Sequence, residues 1–424
     1  METYRDQQPE LESSVKRRAQ VMVGGALLAT VLAAGALWYL TRPSPPVSDR
    51  LLLHRATFAD LAGWEDDHQS AAIVALRRSC APLLTRADAY AVGQNGIGGT
   101  AAAWRTACEA VAGLAPDDDA ARHVLEAHFV PLRVTNNGEA EGLFTGYYEP
   151  ELRGRRIREG KGDGAVPLYT TPPDLVTVDL GAFRESLKNQ RTAGRVVDGR
   201  LEPFPDRAAI EGGALAGRGL EIAWVDDPID AFFLHIQGSG RITLDDGSTM
   251  RVGYAGQNGH SYFAIGRELV ASGELDSETV SLQTIRAWLR AHPARAPAVM
   301  ATNRSYIFFR ELDEAGPVGA QGVVLTPQRS LAVDRRFLPL GAPVWLDASA
   351  PSAEAEGADV VLRQLMVTQD TGGAIRGPVR GDVFWGHGRE AEEVAGRMKH
   401  RGRYYLLLPV AVVERLERAG RVAP

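Results

Sequence analysis

The sequence predicts a mainly β protein with helices, of the α+β class, and three observations carry that reading. Its 424 residues exceed one average domain and suggest two. Residues 58–128 carry helical periodicity. From Leu132 onward, short apolar and β-branched runs alternate with Gly, Pro, Asn and Asp, the texture of barrels or sandwiches. The composition, 45% hydrophobic and 24% charged, is that of a globular protein. A net charge of -6 lacks the basic excess of a nucleic-acid binder, so no nucleic-acid partner is expected.

Taken in order, the chain begins with Lys16-Arg17-Arg18 ahead of an apolar run from Val21 to Leu40, followed by Thr41-Arg42-Pro43. That run just spans a bilayer, and the cations before it place the N-terminus in the cytoplasm and the body outside. Residues 1–49 are therefore read as tail, transmembrane anchor (21–40) and linker. A signal peptide cut near Ala34-Gly35-Ala36 is the competing reading. The apolar run continues through Leu37-Trp38-Tyr39-Leu40, which favours the anchor. Asp67-His68-Gln69-Ser70 reads as a capped helix start. The Gly-rich stretch 93–99 lacks the Gly-Lys-Ser/Thr ending of a phosphate loop and reads as a flexible surface loop. A second helix follows with Trp104 and Cys108, and Asp117-Asp118-Asp119 reads as a solvated helix start rather than a metal site.

Strand candidates then accumulate: Leu143 to Tyr148, Ala231 to Gln237, and Arg241 to Leu244 before the Asp245-Asp246-Gly247 turn. Helical patterns return at residues 261–271 and 281–291. The remainder reads as β, with one helix at 389–400 before the strand Tyr404 to Leu408. No repeat of fixed period appears, and no heptad or interface helix argues against a monomer.

Chemistry concentrates near the end, in Gln369-Asp370-Thr371-Gly372-Gly373 and Gly381-Asp382-Val383-Phe384-Trp385-Gly386. Glycines allow close backbone approach to a ligand. A carboxylate beside Val-Phe-Trp can hold its proton near neutral pH and act as a general acid, the chemistry that breaks a glycosidic bond. No His-Glu-x-x-His, Cys-x-x-Cys or phosphate-loop signature is present, so neither metal nor cofactor is expected. No Gly-x-Ser-x-Gly elbow supports a serine hydrolase.

These motifs resemble the membrane-bound lytic murein transglycosylase A family, whose C-terminal domain is named for three aspartates. The candidates are Asp334 in Leu331-Ala332-Val333-Asp334-Arg335-Arg336, Asp370 and Asp382. The resemblance extends to Phe144-Thr145-Gly146-Tyr147-Tyr148-Glu149-Pro150, Ile236-Gln237-Gly238-Ser239-Gly240 and Gly253-Tyr254-Ala255-Gly256-Gln257-Asn258-Gly259-His260. It implies a double-psi β-barrel built from residues 50–150 and 311–424. A smaller β-barrel, 151–310, is inserted, and a glycan-binding groove separates the two. It also implies an exo-acting lytic transglycosylase of peptidoglycan, with Asp382 as acid and then base and Asp370 in support.

Substrate contacts implied by the resemblance are Thr145, Gly146, Tyr147, Tyr148, Gln237, Gly238, Ser239, Gly240, Tyr254, Asn258, Tyr262, Gly372 and Gly373. Adjacent Tyr147 and Tyr148 cannot both face the groove if they lie on a strand. Asp334 is expected to pair with Arg335 or Arg336, and His260 to bond backbone. Trp385 either stacks on a sugar or fills the core. The step from Asp370 to Asp382 is about one residue longer than in some relatives, with the extra residue in the 378–381 loop. Family members are often lipoproteins, but no Cys follows the apolar run here. The implied address is therefore the periplasm, anchored to the inner membrane, with cell-wall remodelling proteins as possible partners. In that oxidising compartment Cys80 and Cys108 are expected to form a structural disulfide, the alternative being two buried apolar side chains. Two other functions compete. One is an inverting hydrolase using Asp382 and Asp370; the other is a peptidoglycan-binding protein without activity.

Overall fold

A closed ring of six strands organises the chain. The computed structural model describes residues 48–158, 164–187, 190–313, 316–353 and 357–423. The expected anchor lies outside the described residues, and among these no helix is long and apolar enough to cross a membrane. Residues Asp49–Pro424 form one compact unit.

The ring runs Pro343–Pro351, Asp359–Asp370, Ser330–Val333, Arg380–His387, Gly142–Glu149, Lys399–Pro409 and back to Pro343–Pro351. Two of its pairings are parallel, Ser330–Val333 with Asp359–Asp370 and Gly142–Glu149 with Arg380–His387. Closure leaves no free edge within the ring. Beyond Lys399–Pro409 the sheet extends through Phe129–Asn136 and Leu51–Arg55 to Val422–Ala423. Five ring strands come from the C-terminal quarter, and Gly142–Glu149 comes from the N-terminal half. The barrel therefore closes only after both parts of the chain are in place.

Phe144, Leu331, Val333, Trp345, Val367, Val383 and Leu406 are all fully buried in one core, each contributing about 1.5–3 kcal/mol by leaving water. Helices Gln69–Leu84, Ala101–Ala112 and Asp118–His128 join the same core through Leu76, Trp104 and Leu125. A Cys80–Cys108 disulfide ties the first two helices. Asp67 does not cap its helix. It is buried and accepts from Arg329 Nη1 and Leu365 N, each at 2.9 Å. The first turn is served instead by Asp118, which accepts from Ser70 N at 2.9 Å, while Asp117 caps its own helix through Ala120 N. The 93–99 loop is tied down rather than free: Asn95 Nδ2 donates to Phe337 O at 2.6 Å, and Val92 and Ile97 are buried.

The inserted region holds a sheet ordered Ile307–Glu311, Thr249–Gln257, Ser239–Leu244, Glu151–Arg155, Glu221–Val225, Val166–Tyr169. Its two end strands come back together beside Tyr306, whose Oη donates to Pro167 O at 3.5 Å. A separate three-stranded sheet, Val176–Asp179, Arg191–Val197 and Arg200–Pro203, lies within the same insertion.

Two expectations fail here. Ala231 to Gln237 belongs to a helix, Pro228–Gln237. Asp227 accepts from Ile229 N, Pro228 occupies the first turn, and Gly238 ends the helix at φ 80°. A run this short and this rich in apolar residues has no clear period to separate helix from strand, so its capping residues decide. A further helix, Val410–Arg418, follows the Lys399–Pro409 strand, where no second helix was expected; Val412, Val413 and Leu416 supply its buried face.

Candidate active site

Strand register assembles the site. Asp370 pairs with Ala332, Ala332 with Asp382, Asp382 with Thr145, and Thr145 with Lys399. One strand separates the two aspartates, so their Cα atoms are about 10 Å apart.

Asp382 sits in a hydrogen-bonded cluster. Arg380 Nη1 donates to Asp382 Oδ1 at 2.6 Å, and Arg380 Nη2 donates to Thr145 Oγ1 at 2.8 Å. The Thr145 hydroxyl in turn donates to Asp382 Oδ1. Both contacts fall on the same oxygen. Oδ2 makes no hydrogen bond to the described residues, and the Asp382 side chain keeps 19% exposure. Burial pushes the Asp382 carboxyl above the usual carboxylate range, and the Arg380 guanidinium opposes but does not cancel that push.

Asp370 is differently held. Its Oδ1 accepts from Ala320 N and Thr371 N, each at 2.9 Å, and its Oδ2 from Tyr147 Oη at 3.0 Å. Burial raises its carboxyl; these three donors lower it, and the negative Asp382 raises it. The side chain thus bonds turn backbone at Thr371 and also anchors the segment around Ala320. Asp334 is structural. It is 2% exposed, is gripped by Arg336 Nε at 2.9 Å and Nη2 at 2.5 Å, and accepts from Gly377 N at 2.9 Å. Burial pushes its carboxyl up, but Arg336 and the backbone donors outweigh burial and hold it below the usual range.

The other expected substrate contacts divide. Thr145 and Tyr147 touch the two aspartates. Tyr262 comes from the inserted region and feels the Asp382 charge; burial raises its hydroxyl first, and Asp382 raises it further. It also lies beside Gly373, where an added Cβ would sit 3.6 Å from Tyr262 Cβ. Gly372 shares this turn next to Ile375. Tyr254 is exposed at a bulge in its strand, within the field of Arg335 from the barrel. Gln237 and Ser239 are half-buried, with Gln237 Oε1 accepting from Tyr148 N at 3.2 Å.

Four of the expected contacts are occupied with packing instead. Tyr148 is buried against Ala391 and Ala395, its Oη accepting from Arg286; strand alternation turns it away from Tyr147. Asn258 is fully buried, donates to Pro205 O and Arg304 O, and accepts from Tyr306 N. A Cβ on Gly146 would lie 2.7 Å from Ala395 Cα, and one on Gly240 would lie 2.4 Å from Leu234 Cδ1. Gly238 serves as the left-handed helix cap. His260 bonds Phe204 O at 2.7 Å, and Trp385 packs against the barrel core and Tyr148.

Arg380 was missed. It was placed in an insertion-tolerant loop, whereas it opens the Arg380–His387 strand. Its signal was available: two residues before Asp382 on a strand, it shares a face with that carboxylate.

Residues 143–310 match the family described as the MltA specific insert domain, and residues 329–408 match the 3D domain. The "Membrane-bound lytic murein transglycosylase A" of Escherichia coli (strain K12) is 35% identical over 269 residues, 62% of this chain. A crystal structure of the membrane-bound lytic murein transglycosylase from Agrobacterium tumefaciens is 38% identical with TM-score 0.74, covering 86% of this chain and 99% of that one. The chain belongs to the MltA family. The match spans 65% of the E. coli protein, slightly under two thirds of its length. The structure of E. coli MltA with bound chitohexaose is 26% identical with TM-score 0.58, covering 87% of this chain and 93% of that one. Within the MltA-family fold, the insert match begins in the ring strand that carries Thr145. That strand links the two parts of the site.

Proposed function

We propose that this chain is a lytic transglycosylase that cleaves the β-1,4 bond between N-acetylmuramic acid and N-acetylglucosamine in peptidoglycan. The observation that carries this reading is the asymmetry of Asp382: Oδ1 is held by Arg380 and Thr145, and Oδ2 alone is left for substrate. Asp382 Oδ2–H donates its proton to the glycosidic oxygen as the C1–O bond breaks, and the sugar gains oxocarbenium character. The resulting carboxylate takes the proton of the muramoyl C6 hydroxyl. O6 then closes on C1, giving a 1,6-anhydro sugar with no water consumed and the acid regenerated. Arg380 and Thr145 stabilise the carboxylate while it is ionised, and burial favours its return to the protonated form.

An inverting hydrolase needs a second carboxylate free to activate water. Asp370 is poorly suited, because both of its oxygens are occupied by Ala320 N, Thr371 N and Tyr147 Oη. The chitohexaose bound to the E. coli relative supports a glycan ligand for the site around Asp382, Thr145 and Tyr262. We place the body in the periplasm, anchored in the inner membrane by residues 21–40. The basic cluster before that run and the disulfide, suited to an oxidising compartment, support this placement.

Mass spectrometry of peptidoglycan digested by residues 49–424 tests the reaction. Anhydro-muropeptides from the wild type are expected, with Asp382→Asn slower by about 10²–10⁴-fold. Hydrated reducing ends would sink the transglycosylase reading.

A further inference from the structure

The inserted region contains a second cavity, remote in its lining from both aspartates. It encloses about 730 Å³, and all of its walls come from residues 158–306. That volume falls within the range of small-molecule sites. Tyr169, Trp224, Phe232, Leu289 and Met300 make the walls apolar.

One polar side chain in this lining is both buried and incompletely bonded. His235 is 7% exposed and packs between Tyr306 and Phe309, with ring centroids 4.2 and 5.1 Å away. Its Nδ1 accepts from Ile307 N at 3.2 Å, which leaves the proton of the neutral ring on Nε2. Burial, helped by the nearby Arg207, keeps that ring neutral. Nε2–H has no acceptor among the described residues, and the residue that carries it lines the cavity.

Other polar groups of this region are already engaged. Arg207, 1% exposed, spends its donors on Asn303 O, Glu211 and Ser305 O. Tyr306 Oη donates to Pro167 O. The lining thus offers the His235 donor, and of its two carboxylates Glu211 is held by Arg207 while Glu221, half-buried, has no ion-pair partner among the described residues. Gly213, Ala216 and Gly217 also line the cavity; all three are exposed and small, and they form the side of the lining open to solvent.

We infer that this cavity is a binding site for an uncharged apolar molecule carrying one oxygen acceptor, which receives the His235 Nε2–H. An anion would find Arg290 already paired with Asp227 and Asp230 and Arg158 laid over the Trp224 ring, so it would be buried at high cost.

Nile red, a neutral apolar dye with one ring carbonyl, is a suitable probe for residues 49–424, which form a compact unit containing every wall of the cavity. Saturable binding of one dye per chain is expected. Ala216→Trp, which fills the mouth from an exposed position, should weaken binding by on the order of tenfold. His235→Phe should weaken it about fivefold and shift the bound emission to the blue, since the carbonyl loses its donor. Absence of saturable binding, equal binding by Ala216→Trp, or unchanged emission in His235→Phe would each overturn the inference. Peptidoglycan cleavage by Ala216→Trp should equal that of the wild type. That assay reports on the barrel separately, so a failure of the cavity and a failure of the transglycosylase reading are distinguishable.

Discussion

Replacing Arg380 by Met would remove the donor to Asp382 Oδ1 and the donor to Thr145 at once. Burial would then act on the Asp382 carboxyl without its main opponent, so the acid would keep its proton to higher pH. The alkaline limb of the pH–kcat/KM profile should move up in Arg380→Met. The maximum rate should fall, because the ionised form needed to deprotonate the C6 hydroxyl is less stabilised. A limb that stays in place would show that Arg380 only packs. Asp334 presents the opposite sign. Its carboxyl is held below the usual range by Arg336 and backbone N–H groups, against the pull of burial. The stability it confers is therefore present above about pH 4, the unfolded value, and is lost as pH falls through the lower folded value. Asp334→Asn should cost about 1–3 kcal/mol in urea unfolding at pH 7, and the gap to wild type should close in acid.

At the scale of elements, the strand Gly142–Glu149 has to satisfy both of its faces. Thr145 and Tyr147 meet the aspartates, while Tyr148 packs beneath helix Arg389–Arg397. Gly146 permits this close packing, since a Cβ would meet Ala395 Cα at 2.7 Å and the Trp385 ring at 2.8 Å. Gly146→Ala should lower stability by about 1–3 kcal/mol through overpacking, read by thermal melting. It should also reduce turnover, because the strand cannot shift without moving Thr145. The strand leads directly into the inserted region, where buried Glu149 accepts twice from Arg251 Nη2, at 2.7 and 2.8 Å. This ion pair joins the end of a ring strand to the Thr249–Gln257 strand of the insert, close to where the chain crosses between them.

For the whole molecule, the barrel closes around strands far apart in sequence, and the helices on its N-terminal side are fastened by Cys80–Cys108. A 28-residue separation implies that the disulfide stabilises by about 3.5 kcal/mol through the unfolded chain. Cys80→Ser with Cys108→Ser should lower the melting temperature, and reductant should have the same effect on the wild type. No change in either would show that packing alone holds the two helices.

The α+β class and the aspartate-bearing turns were legible in the sequence, because glycine-rich turns, alternating strands and paired carboxylates are local signals; the discontinuous arrangement entered only through the resemblance to the family. Helix Pro228–Gln237 was legible only through its caps, since so short and mostly apolar a run has no clear period. Among the site residues, sequence distinguished Asp382 and Thr145 by motif, but it could not separate groove from packing for Tyr148, Asn258, Gly146 and Gly240. Those assignments depend on what lies across from each residue, such as Ala395 against Gly146 or Pro205 and Arg304 around Asn258. Register made the same kind of decision at the catalytic row. A shift of one residue would turn Asp382 into the barrel. Only closure of the ring sets Asp370, Ala332, Asp382 and Thr145 side by side, with Arg380 against a single carboxylate oxygen.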